Sequence, residues 1–186
     1  MTQQSLPNPV DLYDAALGPT KDTLARVRPN QLKDPTPCAE WDVEALVDHI
    51  LGGAGMLSGI LSGGGPDQPP PDKDRAAAFE ALAHNAVRLA REAGALEREY
   101  TTPMGDMAGG YLVMMMFMDQ VIHRWDLAKA TGQDTAIDPE HVEVIFNALK
   151  DQTPQMRQAG VIGPEVSVPE SAPLQDRLLG MMGRTP

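Results

Sequence analysis

At 186 residues the chain has room for one ordinary domain with a real core, and not for two comfortable ones. Its content of 42% hydrophobic and 22% charged residues excludes wholesale disorder. A formal net charge of −11 is the wrong sign for nucleic-acid phosphates and for anionic membrane surfaces.

Aromatic residues supply only 4%, so the core must come from Leu, Val, Ala and eleven Met, a side chain that fills irregular gaps. The single cysteine, Cys38, allows no internal disulfide and suits a reducing compartment. The stretch from Met1 to Pro7 lacks the basic and apolar regions of a signal peptide. The longest apolar run, Tyr111 to Met118, is far short of the roughly 20 residues of a membrane-spanning helix. A cytoplasmic protein with neither membrane nor nucleic-acid partner is expected.

In chain order, Asn8-Pro9 reads as an N-cap with proline at the first helical position. Val10, Tyr13, Ala16, Leu17, Leu24 and Val27 follow at helical spacing, with a kink expected at Gly18-Pro19. A Pro-rich stretch, Pro29 to Pro37, ends this helix. Asp42 caps a second, whose stripe is Val43, Leu46, Val47, Ile50, Leu51 and Ala54. Glycines 52, 53, 55 and 59 predict an irregular far end.

Gly63 to Asp72 is a Gly/Pro-rich connection. A third helix is expected over Asp74–Tyr100, and a fourth over Gly109–Thr131. The fourth is apolar on nearly every side through residues 111–118, as in a helix at the middle of a domain. Asp138-Pro139 opens a fifth, reaching to about Gln158, and a short last helix follows over Leu174–Met182 after an extended piece at Val166-Ser167-Val168. No run alternates like a strand. One all-α bundle over residues 1–186, four long helices with an added C-terminal helix and a loop tail, is the expected fold.

The fourth helix carries an anomaly. Asp119 and His123 lie four residues apart, about 40° around the axis and roughly 6 Å along it. Their neighbours Leu112, Met115, Ile122 and Leu127 are core-type. A carboxylate on such a face costs several kcal/mol unless it is paired, hydrogen-bonded or bound to a cation. Both side chains lean toward the preceding turn and can chelate one ion. A facing helix supplies a third ligand in a bundle, and His49, at the edge of the second helix's stripe, is the candidate. Two imidazoles and one carboxylate leave a position open, as in catalytic zinc sites. Asp126, one turn on, is placed to orient the second ring nitrogen of His123. The alternative is an Asp119–His123 ion pair, joined by Arg124 or His49, that only fixes the bundle register. His84 is expected half-exposed and His141 on the surface. Cys38 reads as a small packed residue, and Trp41 and Trp125 as core anchors.

Three segments resemble a known family. They are Thr36-Pro-Cys-Ala-Glu-Trp-Asp-Val-Glu-Ala-Leu-Val-Asp-His49, then Asp119-Gln-Val-Ile-His123-Arg-Trp-Asp-Leu-Ala-Lys-Ala-Thr-Gly132, and the C-terminal stretch from Val166 to Arg184. In this order they are similar to the DinB-like superfamily, in its actinobacterial branch related to mycothiol-dependent maleylpyruvate isomerase. The resemblance spans nearly the whole chain. It implies a four-helix DinB fold and a divalent metal, zinc or nickel, held at the positions of His49, Asp119 and His123. It also implies chemistry with mycothiol or a related low-molecular-weight thiol.

Two departures stand out. The acid of the pair is usually Glu in the family, and Asp119 reaches about 1.5 Å less. The site must then contract, admit a bridging water, or lose the metal. Arg124 replaces a residue that is more often small, and it either contacts a substrate carboxylate or pairs with Asp119 in place of a metal.

The leading expectation is a metal-dependent thiol S-transferase or isomerase acting on a small electrophilic substrate. His49, Asp119 and His123 serve as ligands and Arg124 as a substrate contact. A hydrolase, lyase or cyclase at the same site is the second reading. A non-catalytic binding protein with a structural Asp–His–Arg cluster is the third. A small-molecule substrate is expected, with the chain either a monomer or a homodimer.

Overall fold

The computed structural model describes residues 7–70, 74–102 and 104–186. They fall into two compact units, Met1–Gln133 and Asp134–Pro186.

In the first unit, capping side chains set the helix starts. Asn8 accepts from the Val10 N–H at the head of α1 (Pro9–Ala25). No break follows Gly18-Pro19. Pro19 and Ala15, whose carbonyl loses its helical donor to the proline ring, both face solvent, so water can satisfy the orphaned oxygen. Asp42 caps α2 (Val43–Leu61) by accepting from Ala45 N–H.

The expected irregularity in the far half of α2 is absent. Gly55 and Gly59 instead form a bed for the connection that follows. Asp67 N–H donates to the Gly55 carbonyl and Gly64 N–H to the Gly59 carbonyl, each at 2.9 Å. A Cβ at either glycine would overlap loop backbone. The Ser58 hydroxyl, which accepts from Asn85, donates to Asp67 and pins the loop further. These bonds offset the poor helix propensity of glycine. Residues 71 and 72 of the expected connection lie outside the described residues.

Asp74 caps α3 (Arg75–Ala90). The expected continuation to Tyr100 does not occur, and the chain turns through Gly94, at φ +76°. It then forms a hairpin, β1 (Glu99–Thr102) antiparallel to β2 (Gly105–Ala108). Tyr100 and Thr102 point inward while Glu99 and Thr101 face out, a two-residue period too short to register in the sequence. The hairpin delivers the chain into α4 (Gly109–Thr131). Gly109 allows the close approach of the Ala95 carbonyl, and Gly132, at φ +69°, ends the helix.

α1 packs on α3 and α4, and α2 packs on the same two helices, closing a four-helix bundle. Trp125, Tyr13, Phe79, Phe117, Leu46 and Leu57 are its largest fully buried side chains. Tyr111 lies on an exposed face, so α4 is less completely enclosed than its composition implies. α2 is long and apolar enough to cross a membrane, but most of its residues are buried inside the protein.

The second unit begins with α5 (Pro139–Leu149), capped by Asp138. The expected helix to Gln158 is interrupted. Pro154 cannot donate and disfavours helical backbone before it, so the chain restarts as α6 (Thr153–Gln158) with that proline in its first turn. α7 (Leu174–Met181) packs on α5, and the extended piece at 166–168 binds it through Val166 N–H to the Gly180 carbonyl, 3.0 Å. His141, expected at the surface, is buried, and burial lowers its pKa.

Candidate metal centre

The centre is built from α2, α4 and the loop before α2. His49 lies in the second turn of α2, and Asp119, His123 and Asp126 form one stripe on α4. Nε2 of His49 approaches both Asp119 carboxylate oxygens, Oδ2 at 3.2 Å and Oδ1 at 3.4 Å. Nε2 of His123 lies 3.4 Å from the same Oδ1. On the far side of its ring, His123 Nδ1 donates to Asp126 Oδ2 at 3.0 Å. The Cys38 thiol donates to that oxygen as well, at 3.2 Å.

The loop is held in shape by Thr36. Its hydroxyl sits between the Cys38 and Trp41 carbonyls and accepts the Cys38 N–H. This delivers Trp41 as a wall, its ring 4.5 Å from the His49 ring and 5.5 Å from that of His123. The cluster is graded in depth. His49 and Asp119 side chains are about one-third exposed, that of His123 is 12% exposed, and Asp126 is fully buried. Solvent and small molecules therefore reach the His49–Asp119 edge, and the back is closed.

Electrostatics follow from this packing. Burial alone would push the Asp119 carboxyl up, but hydrogen bonds and charge from His123 and His49 hold it well below the usual carboxylate range. Burial would lower His123, yet Asp119, Asp126 and Cys38 around it push its imidazole up to about 11. Such a carboxylate–imidazole array already prefers a positive charge between its oxygens and nitrogens.

The donors fit a divalent ion. Bonds of about 2.0–2.1 Å in tetrahedral array place ligand atoms about 3.3–3.4 Å apart. Asp119 Oδ1 lies 3.4 Å from each histidine Nε2, and one ligand atom from each of the three residues falls within 4.8 Å of the others. α2 and α4 approach closely beside the shorter aspartate. Gly53, one turn after His49, has no side chain to separate α2 from α4. A Cβ there would sit 2.8 Å from Met116 Cε and 3.9 Å from Asp119 Oδ2. Cys38, His123 and Asp126 form a second group of ligand-type atoms that shares His123. It lies at the closed end, where Asp126 already accepts two hydrogen bonds, so the first set alone offers an open side.

The structure thus brings together His49, Asp119, His123 and Asp126. Arg124 stands apart. It is half-buried and lies five residues beyond Asp119, about 140° around the helix, and the Asp119 carboxylate is held by the two imidazoles instead of by it. Trp41 and Cys38, expected as a core anchor and a packed residue, are part of the site. Trp125 is buried as expected. The signal for the other two was their place in the loop that leads into the His49 helix, but an irregular loop has no period from which a direction can be read.

A family model, the mycothiol maleylpyruvate isomerase N-terminal domain, matches residues 13–128. The chain belongs to this family. The match falls within the first compact unit and covers every residue of the centre. In two strains of Mycobacterium tuberculosis, an uncharacterised protein is 35% identical over 165 residues, covering 87% of this chain and 90% of its own length. Among solved structures, the mycothiol-dependent maleylpyruvate isomerase superposes with a TM-score of 0.63 at 16% identity, over 87% of this chain and 75% of that one. A DinB-like protein from Bacillus subtilis gives 0.54 at 14% identity, over 70% and 94%. The mainly helical fold of this mycothiol isomerase family member is therefore the DinB-like bundle, and it carries the small hairpin of β1 and β2.

Proposed function

We propose that the chain is a metal-dependent enzyme of thiol chemistry, an S-transferase or isomerase that uses mycothiol or a related low-molecular-weight thiol on a small electrophilic substrate. The observation that carries this reading is the three-residue donor set, spaced for one divalent ion and open on one side only. His49, Asp119 and His123 would hold zinc or nickel, and a bound divalent ion would acidify a thiol so that it is a thiolate at neutral pH.

The chain's own groups divide the remaining work. Asp126 fixes the His123 tautomer by accepting its Nδ1–H, leaving Nε2 to face the open side. Trp41 lines the approach beside the His49 and His123 rings. The thiol-dependent family relationship supports the choice of thiol over water as the reacting partner. Arg124, outside the cluster, is retained only as a substrate contact beyond it, and the reading does not depend on it. A cytosolic location accords with the reduced state that such a thiol requires.

Isothermal titration of the zinc-loaded protein with mycothiol tests the assignment. Saturable binding that is lost in Asp119→Asn is expected. No heat at millimolar thiol would overturn the thiol assignment and leave hydrolysis, a lyase step or cyclisation at the same residues.

A further inference from the structure

The second unit contains a cavity of about 350 Å³, lined by side chains of α5, α6, α7 and the extended segment 165–170. Small-molecule sites span about 300–1,000 Å³, so a compact ligand fits. Arg157 ties three of its walls together. The guanidinium donates to the Met181 carbonyl at 2.8 Å, to the Glu165 carboxylate at 2.9 Å and to the Thr153 hydroxyl at 3.3 Å. This arginine is therefore part of the frame.

Two other cations line the cavity without a carboxylate partner among the described residues. The Arg177 guanidinium lies over the Phe146 ring, 5.1 Å from its centroid. Stacking uses the face of the guanidinium and leaves its N–H edges for an acceptor. The Lys150 ammonium reaches only the Asn147 side-chain carbonyl, at 3.3 Å. Glu170 lines the same cavity and forms no ion pair among the described residues. In a chain of net charge −11 this is a local reversal, two unpaired cations against one carboxylate. One further negative charge balances them, whereas a dianion would meet Glu170 as a like charge. Phe146, Val168 and Met181 make the rest of the lining apolar.

We propose that the second unit is a binding site for a small monocarboxylate with an apolar body. The carboxylate pairs with the Arg177 fork and the Lys150 ammonium, a geometry in which guanidinium donors are strongest. The body lies against Phe146, Val168 and Met181. The site is confined to residues 146–181 and uses none of the metal-centre side chains.

Benzoate is the probe, with benzyl alcohol as its uncharged counterpart and inorganic phosphate as an anion without an apolar body. Proton–nitrogen correlation NMR of the full chain, in the presence of zinc, follows each titration, so binding at the metal centre and in this cavity is read from separate signals. Benzoate should shift resonances within 146–181 saturably at millimolar concentration. Benzyl alcohol and phosphate should each bind there at least about tenfold more weakly. Arg177→Gln should weaken benzoate about 10–100-fold, the loss expected for a hydrogen-bonded charge pair. Lys150→Glu, a change at an exposed side chain, should also weaken it while the melting temperature stays unchanged. Benzoate shifts confined to the surroundings of His49 and His123 would overturn the proposal. So would benzyl alcohol or phosphate binding as tightly as benzoate, or a folded Lys150→Glu or Arg177→Gln that keeps wild-type affinity.

Discussion

Asp126→Asn isolates what a fully buried carboxylate contributes behind the centre. Its Oδ2 accepts from both His123 Nδ1 at 3.0 Å and the Cys38 thiol at 3.2 Å. An asparagine carbonyl can accept the same two bonds in the same volume, so the substitution removes the charge behind them. Hydrogen bonds to charged groups contribute about 1.5–3 kcal/mol and neutral ones about 0.5–1.5, a difference of about 1–1.5 kcal/mol. That is roughly tenfold in affinity. Asp126→Leu goes further, because it leaves Nδ1–H only the Cys38 sulfur, a weak acceptor at 3.8 Å. His123 would then keep its proton on Nε2, facing Asp119. To ligate an ion it would have to move that proton to a buried, poorly satisfied Nδ1 at a further cost of about 1–3 kcal/mol, carrying the loss toward 100-fold or beyond. Zinc competition at neutral pH measures both, with circular dichroism to confirm the helical content. Equal zinc affinity in wild type, Asp126→Asn and Asp126→Leu would refute the reasoning.

In the presence of chelator, pH should act on the network in two opposite senses. Asp119 is held below its ordinary value of 3.8, so its contribution to stability is present above that pH and is lost as pH falls. His123 is raised from 6.5 to about 11, so its contribution is full below pH 6.5 and is lost as pH rises toward 11. Melting temperature should fall along that alkaline limb, and His123→Gln should flatten it; parallel curves would contradict the assignment. Gly59→Ala places a Cβ on the Gly65 carbonyl. The resulting strain should cost about 1–3 kcal/mol and lower the melting temperature by about 3–10 °C. Proteolysis should open the 63–70 loop first, and an unchanged melting curve would show that the loop does not bed on α2.

The bundle was readable because its signals are local and periodic. Asn8, Asp42, Asp74 and Asp138 announce helix starts by chemistry that needs no tertiary context. The acid–imidazole pair on α4 was equally legible, since polar residues at helical spacing among core residues stand out. What escaped depends on contacts distant in the chain. The glycines of α2 read as helix weakness until the 63–67 backbone is laid on them. The hairpin offers only four residues a strand. Cys38 and Trp41 belong to an irregular loop whose direction is set by Thr36, through bonds that no periodicity encodes.

Metal analysis of untagged protein tests the central claim most directly. Inductively coupled plasma mass spectrometry should find about one equivalent of zinc or nickel per chain, as expected for one three-ligand site, and His49→Ala should carry none. Wild-type protein that contains no metal after growth in supplemented medium, with a melting temperature unmoved by chelator, would contradict it.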